Sequence, residues 1–309
     1  MPAGARALSH LYRPGVEGDN TWYFEFGSFT VALTSRVNSV QKWIPFLYQP
    51  FRKTVTRPAF IDFRIRVERP ASLRRWVRPQ VNFYLDGFAP FKPLPALQAV
   101  PLFEWGLNWC IANQYHRYLH FHAAGVEKNG VMVILPAPPG SGKSTLAAAL
   151  MQHGWRLFSD EILMVEPSTA CAIPIGRPVN LKNESIDLLR QLFPQAELTE
   201  KFYDTSKGVI ALMKPTAETA SRVSVGAMPT HIITPRYLAG SALSVRACRK
   251  PAALMALIDN SFNYHILGKS GFDTACRLVD QCDCFTLEYS RFEEVFEFFD
   301  GLCEGARSD

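Results

Sequence analysis

An α/β fold preceded by a smaller β-rich domain is what the sequence predicts, and three observations carry it. The segment 131–151 runs strand, glycine-rich turn, helix: Val131-Met-Val-Ile-Leu135 is a short β-branched run, and Ser144-Thr-Leu-Ala-Ala-Ala-Leu-Met151 is a strong helix former ended by His153-Gly154. Ile61, Phe63, Ile65 and Val67 alternate with Asp62, Arg64, Arg66 and Glu68, the period of a half-buried strand. Between these regions the run Pro90-Phe-Lys-Pro-Leu-Pro95, with Pro101 after it, reads as an extended linker. The expected division is a β-rich domain over residues 1–100 and an α/β domain over 101–309. With 309 residues, 48% of them hydrophobic and 12% aromatic, the chain is long and apolar enough for two such units.

Thr21-Trp-Tyr-Phe-Glu-Phe26, Phe29-Thr-Val31 and Val81-Asn-Phe-Tyr-Leu85 add strands to the first domain, which reads as a small antiparallel sheet. Phe103, Leu107, Cys110, Ile111 and Tyr118 fall near helical spacing, so a helix over about 102–118 is expected to bridge the domains. After Gly154, Trp155-Arg-Leu-Phe158 reads as a strand, followed by a second apolar run, Ile162-Leu-Met-Val165. Helices are expected over 184–193, capped by Ser185, and over 251–259. The last, 291–302, sets Phe292, Val295, Phe296, Phe299 and Leu302 in one core-facing stripe. There is no internal repeat or low-complexity tract.

The turn at 131–151 is Ala137-Pro-Pro-Gly-Ser-Gly-Lys-Ser144, which fits the phosphate-binding pattern Gly-x-x-x-x-Gly-Lys-[Ser/Thr] with Ala in the first position. Each fixed position has a mechanical reason. Gly140 and Gly142 let backbone N–H groups close around phosphate oxygens, Lys143 reaches the β and γ phosphates, and the Ser144 hydroxyl can ligate Mg²⁺. The helix N-terminus adds its dipole and free N–H groups. Pro139, Gly140, Ser141, Gly142, Lys143, Ser144 and Thr145 are therefore the expected nucleotide-binding residues. Asp160 and Glu161 follow at the end of the next strand, where one carboxylate can hold Mg²⁺ while the other accepts a proton from an attacking hydroxyl. A pair of solvated turn acids is the alternative.

These residues resemble the HPr kinase/phosphorylase superfamily, in which the phosphate loop is followed closely by an acidic pair. His122-Ala-Ala-Gly-Val-Glu-Lys-Asn-Gly130, the loop 137–144 and Gly154-Trp-Arg-Leu-Phe-Ser-Asp-Glu161 are similar to that family's blocks. In closer detail Pro178-Val-Asn-Leu-Lys-Asn-Glu184, Asp204-Thr-Ser-Lys-Gly208, Asn260-Ser-Phe-Asn-Tyr264 and Gly271-Phe272 look like segments of the HPr-kinase-related group A proteins. The resemblance implies a P-loop kinase core of the HPr kinase/PEP carboxykinase-like type. It implies Asp160 as general base, Lys143 as the phosphate lysine, Ser144, Asp160 and Glu161 as the Mg²⁺ site, and His122 as the histidine that precedes the loop. Glu161 stands where the kinase/phosphorylase has a second Asp, a change that a Mg²⁺ site tolerates because Glu is also a hard oxygen ligand. The first 110 residues show no similarity to the N-terminal domain of HPr kinase. The hexamer of that enzyme is an analogy only, and a homo-oligomer is left open.

Charge is unevenly spread: residues 1–110 carry 14 Lys and Arg against 7 Asp and Glu, and residues 111–309 carry 19 against 21. Arg52, Lys53, Arg57, Arg64, Arg66, Arg69, Arg74, Arg75 and Arg78 form the densest cluster. It reads either as a surface that steers an acidic partner or as a solvated basic face, with no nucleic-acid module beside it. Residues 1–14 hold no apolar signal core, and no uninterrupted apolar run reaches the roughly 18 residues of a membrane span. The 7 cysteines lack paired metal spacing. A cytoplasmic protein with reduced thiols and no membrane partner is expected.

Lys182, Lys207 and Arg177 lie in polar segments where a cation could meet phosphate or simply be solvated. Lys207, in Thr205-Ser-Lys-Gly208, has the composition of a movable loop. His122 could orient a phosphate or be structural. The expected activity is an ATP- and Mg²⁺-dependent kinase, with catalytic residues Asp160, Lys143, His122 and Lys207 and with a Ser or Thr of a peptide or small protein as acceptor. Group A members resemble companions of peptide-modification clusters, so other peptide-modification proteins are implied partners. A small-molecule or sugar kinase with the same phosphate site and a nucleotide sensor without turnover are the alternatives.

Overall fold

A computed structural model describes residues 20–49 and 58–305; Arg52, Lys53 and Arg57 of the basic cluster, and the segment 1–14, lie outside the described residues. The chain opens with strands β1 (Thr21–Glu25) and β2 (Thr30–Ser35), helix α1 (Asn38–Leu47), then β3 (Phe63–Glu68), β4 (Gln80–Leu85) and the short β5 (Leu94–Pro95). These strands form a five-stranded sheet in sequence order. The sheet is mixed rather than antiparallel, because β2 and β3 pair parallel. Parallel neighbours need a crossover, and α1, which the alternation did not reveal, lies within it. In β3 Phe63, Ile65 and Val67 are buried while Arg64 and Arg66 are exposed, as the alternation requires.

Helix α2 runs over Ala99–Gln114, a few residues earlier than its spacing suggests. Pro101 sits in its first turn, where a missing N–H costs nothing, and the supposed linker end Leu94–Pro95 pairs with β4 instead. Inward residues of the five-stranded sheet, α1 and α2 share one buried cluster with Ile162, Ile175, Phe202 and Leu212 from later in the chain.

The remaining chain continues β6 (Leu119–Phe121), β7 (Ala123–Lys128), β8 (Val131–Pro136), α3 (Lys143–Gln152), β9 (Arg156–Ser159), β10 (Leu163–Val165), β11 (Ala172–Ile173) and β12 (Val179–Lys182). Then come α4 (Glu184–Leu192), β13 (Phe202–Thr205), β14 (Gly208–Met213), α5 (Ala217–Ser221), β15 (Pro229–Tyr237) and β16 (Ser244–Ala247). Helices α6 (Lys250–Asp259), α7 (Tyr264–Leu267) and α8 (Lys269–Gln281), strand β17 (Asp283–Tyr289) and α9 (Phe292–Gly305) close it. The main sheet is six-stranded, β16-β17-β15-β8-β7-β9. Two small antiparallel sheets, β11-β10-β6 and β12-β14-β13, flank it. On α9, Phe292, Val295 and Phe299 are buried with α3 and β8, so the phenylalanine stripe is core.

A buried ion pair ties β7 to β9: Arg156 Nε donates to Glu127 Oε2 at 2.8 Å, with 1% and 3% of the two side chains exposed. The Arg156 Nη1 also donates to the carbonyls of Arg222 and Val225, which offsets part of the cost of burying the charge, while Nη2 is buried without a partner among the described residues. His120 on β6 is fully buried, and neither ring nitrogen has a hydrogen-bond partner among the described residues. Burial, assisted by His116, lowers its pKa to about 4 from 6.5. Because the folded state resists protonation, its stabilising share is complete above pH 6.5 and drains away as pH falls towards 4. The loss expected by about pH 5 is about 2 kcal/mol. Urea unfolding compared at neutral pH and in mild acid should show a drop in the wild type that includes this share and a drop smaller by about that much in His120→Leu.

Candidate functional site

Topology brings three separate segments to one sheet edge. β7 lies between β8 and β9 and runs antiparallel to both, so β8 and β9 run the same way. Their carboxyl ends therefore share an edge with the amino end of β7. His122 precedes β7, the loop 137–142 follows β8, and Asp160 and Glu161 follow β9. The result is a cleft of about 570 Å³ lined by the loop from Pro138 to Thr145 and by His122, Glu161, Asn180, Lys182, Ser185, Lys207 and Phe262.

The loop passes directly into α3, with Gly142 as its N-cap in the left-handed region at φ 88° and no side chain capping the turn. The first-turn N–H groups thus have no partner within the helix and point along its positive end. A Cβ on Gly142 would lie 3.1 Å from Tyr237 Cβ and 3.3 Å from the Tyr289 hydroxyl. Those tyrosines end β15 and β17, and the Tyr237 N–H holds the Ser141 carbonyl at 3.1 Å. Lys143 is 5% exposed and donates from Nζ to the carbonyls of His122 (3.2 Å) and Ala137 (3.3 Å). Burial lowers its pKa to about 8, although Asp160 and Glu161 favour its charge. Pro139, Gly140 and Ser141 lie on the loop beside the cleft, and Ser144 and Thr145 line it half-buried.

The two adjacent acids are held differently. The Ser159 hydroxyl accepts the N–H groups of Glu161 (3.2 Å) and Ile162 (2.9 Å), which fixes the turn that presents them. Asp160 is 8% exposed, and its Oδ2 accepts the Asn180 N–H at 3.0 Å. Burial and the neighbouring Glu161 raise its pKa to about 6. Glu161 faces the cleft, taking a hydrogen bond from Asn108 Nδ2 at 2.7 Å and an ion pair from Lys207 at 3.5 Å. Burial works to raise its pKa, but Lys207, Lys182 and Arg177 outweigh it and the net shift is downward. Asp160 is thus poised near neutrality while Glu161 stays ionised.

His122 is half-buried with its ring 5.8 Å from that of Phe262, and burial together with Lys143 lowers its pKa to about 4, leaving it neutral. Lys182 is exposed on the cleft wall. Lys207 occupies a tight hairpin turn rather than a loose loop: the Thr205 hydroxyl donates to the Gly208 carbonyl at 2.5 Å and accepts the Lys207 N–H at 3.2 Å. Arg177 does not line the cleft. It is buried behind the acids, donating to Glu104 Oε2 and to Asn108 Oδ1, both at 2.8 Å.

Asn108, Glu104, Asn180 and Phe262 escape sequence reasoning as site residues. Asn180 and Phe262 carry a usable signal, since they lie in the family-like blocks 178–184 and 260–264; the Asn180 side-chain Oδ1 is buried without a partner among the described residues. Among the described residues no group of three or more His, Cys, Asp and Glu is placed to cage a metal. Mg²⁺ ordinarily takes one or two carboxylates and completes its shell with water and phosphate oxygens, so Ser144, Asp160 and Glu161 form a donor set that suits it. Among the described residues no helix is long and apolar enough to cross a membrane.

No protein-family model matches the chain, and no curated protein matches it either. Among solved structures, the HPr(Ser) kinase/phosphatase from Coxiella burnetii is similar to it at 9% identity and a TM-score of 0.25, over 61% of this chain and 95% of that one. A likeness of that size carries no argument, and the functional reading rests on the site itself.

The Gly142 geometry is open to direct test. Gly142→Ala forces an L side chain into the left-handed region and against Tyr237, whereas a Cβ on Gly140 meets nothing within 4 Å at the same φ. Gly142→Ala should cost about 1–2 kcal/mol in chemical denaturation. Gly140→Ala should cost less.

Proposed function

We propose that the chain is an ATP- and Mg²⁺-dependent phosphotransferase that moves the γ-phosphoryl group to a hydroxyl. The observation that carries this is a cleft lined by a glycine-turned helix N-terminus, a buried lysine and the Glu161 carboxylate, with the Asp160 carboxylate buried beside Glu161 and displaced in pKa the opposite way. The free N–H groups of the loop and first turn of α3 bind phosphate oxygens, and Lys143 supplies the fixed charge among them. Lys182 and Lys207 add positive potential on the opposite wall, which suits an anionic ligand and the charge of a transferring phosphoryl group. Ser144 and Glu161 would hold Mg²⁺, with Asp160 adjoining, and the ion would supply charge neutralisation to the phosphate groups.

Asp160 is the proposed general base. Its Oδ2 is occupied by the Asn180 N–H, and its Oδ1 makes no hydrogen bond among the described residues. Oδ1 takes the proton of the acceptor hydroxyl as that oxygen bonds to Pγ, while the bond from Pγ to the bridging oxygen breaks and ADP leaves. A raised pKa serves this role, since a carboxylate near neutrality is a stronger base than one at its ordinary value and remains ionised at pH 7. As acceptor we propose a Ser or Thr of a peptide or small protein, a choice that rests on the sequence resemblance to HPr-kinase-related proteins.

The test is transfer of labelled γ-phosphate from Mg²⁺-ATP to a peptide panel and a metabolite panel, alongside calorimetric ATP binding. Asp160→Asn should keep ATP affinity within a few-fold and lose transfer by about 10²–10⁴. Wild-type protein that binds no ATP would overturn the reading. Undiminished transfer by the variant would remove the base from Asp160, and label on metabolites alone would change the acceptor class.

A further inference from the structure

One helix outside the cleft touches its wall and its supports repeatedly. From α2 and the residue before it, Gln98 Nε2 donates to the Asp204 carbonyl at 2.8 Å, pinning the hairpin that carries Lys207. The Trp105 ring lies under the Lys207 ammonium, 5.5 Å from nitrogen to centroid. Asn108 uses both ends of its amide: Nδ2 donates to Glu161 Oε2 at 2.7 Å, and Oδ1 accepts from Arg177 Nη1 at 2.8 Å. Glu104 in turn pairs with Arg177, and its other oxygen accepts the Tyr48 hydroxyl at 2.7 Å. The chain of contacts therefore runs from α1 through α2 to the acid that faces the cleft.

The platform is rigid. Glu104 is 2% exposed and Arg177 8%, so neither has water as an alternative partner. At Gly106 the helix packs so closely on the first sheet that a Cβ would fall 2.1 Å from a Phe83 ring atom. An amide whose oxygen is committed to a guanidinium cannot flip without losing that bond, so Arg177 sets which end of Asn108 meets Glu161.

We infer that Asn108, oriented by Arg177 and Glu104, is a positioning residue that fixes the Glu161 carboxylate for Mg²⁺, which makes α2 and the sheet beneath it a working part of the site. This rests on the phosphotransferase reading. Groups that orient a metal-binding carboxylate commonly change metal affinity by about 10-fold or more when replaced. Asn108→Asp is the informative change: it keeps an acceptor for Arg177 but removes the donor to Glu161 and sets a like charge beside it.

The experiment measures the Mg²⁺ concentration needed for half-maximal ATP binding, by calorimetry on the full chain, for wild type, Asn108→Asp, Glu161→Gln and the double variant. The expected result is an about 10-fold higher requirement in Asn108→Asp, and less than about a twofold further change when it is added to Glu161→Gln. An unchanged requirement in Asn108→Asp, or a full additive effect on the Glu161→Gln background, overturns the inference while leaving the phosphotransferase reading in place. Wild-type protein that binds no Mg²⁺-ATP overturns both. Asn108→Ala, which introduces no charge, is read in the same way should Asn108→Asp fail to fold, with about the same direction and a smaller shift.

Discussion

Everything at the site depends on the single antiparallel strand Ala123–Lys128 lying between two strands that run the other way. A turn can join neighbouring antiparallel strands directly, as Asn129 and Gly130 do here. The next strand must then return to the far side of Ala123–Lys128, and α3 is the element that makes the return. That one crossover puts the anion-facing end of the helix, the residue before the middle strand and the residues after the far strand at a common edge. The buried Arg156–Glu127 pair locks the far strand in place from the opposite end. The acids therefore meet the loop by construction, and no long-range loop closure is needed to bring them there.

Within that geometry the electrostatics divide the labour. Lys143 is buried enough to lose basicity, yet at neutral pH it remains mostly cationic because its carbonyl contacts and the two acids favour the charge. His122 has Lys143 and few compensating anions around it, so its ring stays neutral. The cations on the far wall are half-exposed or exposed, so they contribute potential more than fixed contacts.

The loop, the two acids and the helix stripe were legible because each is written locally. Gly142 requires a positive φ, Lys143 opens a helix, and the phenylalanines of 292–299 recur at helical spacing. The crossover that makes the first sheet mixed was not legible, since alternation along β3 fixes which face is buried but says nothing of strand direction. Asn108 and Glu104 were hidden for a different reason. They stand on a helix whose apolar residues dominate its pattern, and their partners, Arg177 and Glu161, lie more than fifty residues away in sequence. Lys207 was legible as a cation but not as part of a tight turn, because Thr205 and Gly208 form that turn through side-chain geometry that composition does not encode.

Two carboxylates adjacent in sequence would ordinarily compete for the same protons and the same partners, and here the backbone separates them. The turn held by Ser159 aims Asp160 towards β12 and Glu161 towards the cations and α2. Asp160 receives one backbone N–H and little water, so its charged form is poorly solvated. Glu161 receives an amide donor and an ammonium, so its charged form is well supported. The proposed chemistry, one carboxylate for a cation and one for a proton, would draw on that asymmetry, because a carboxylate that is a good Mg²⁺ ligand is by the same stabilisation a poor base. Exchanging the two environments would reverse the two pKa displacements even with the same residues in place, so the helix behind Glu161 shapes the electrostatics of the acids as directly as the turn that presents them.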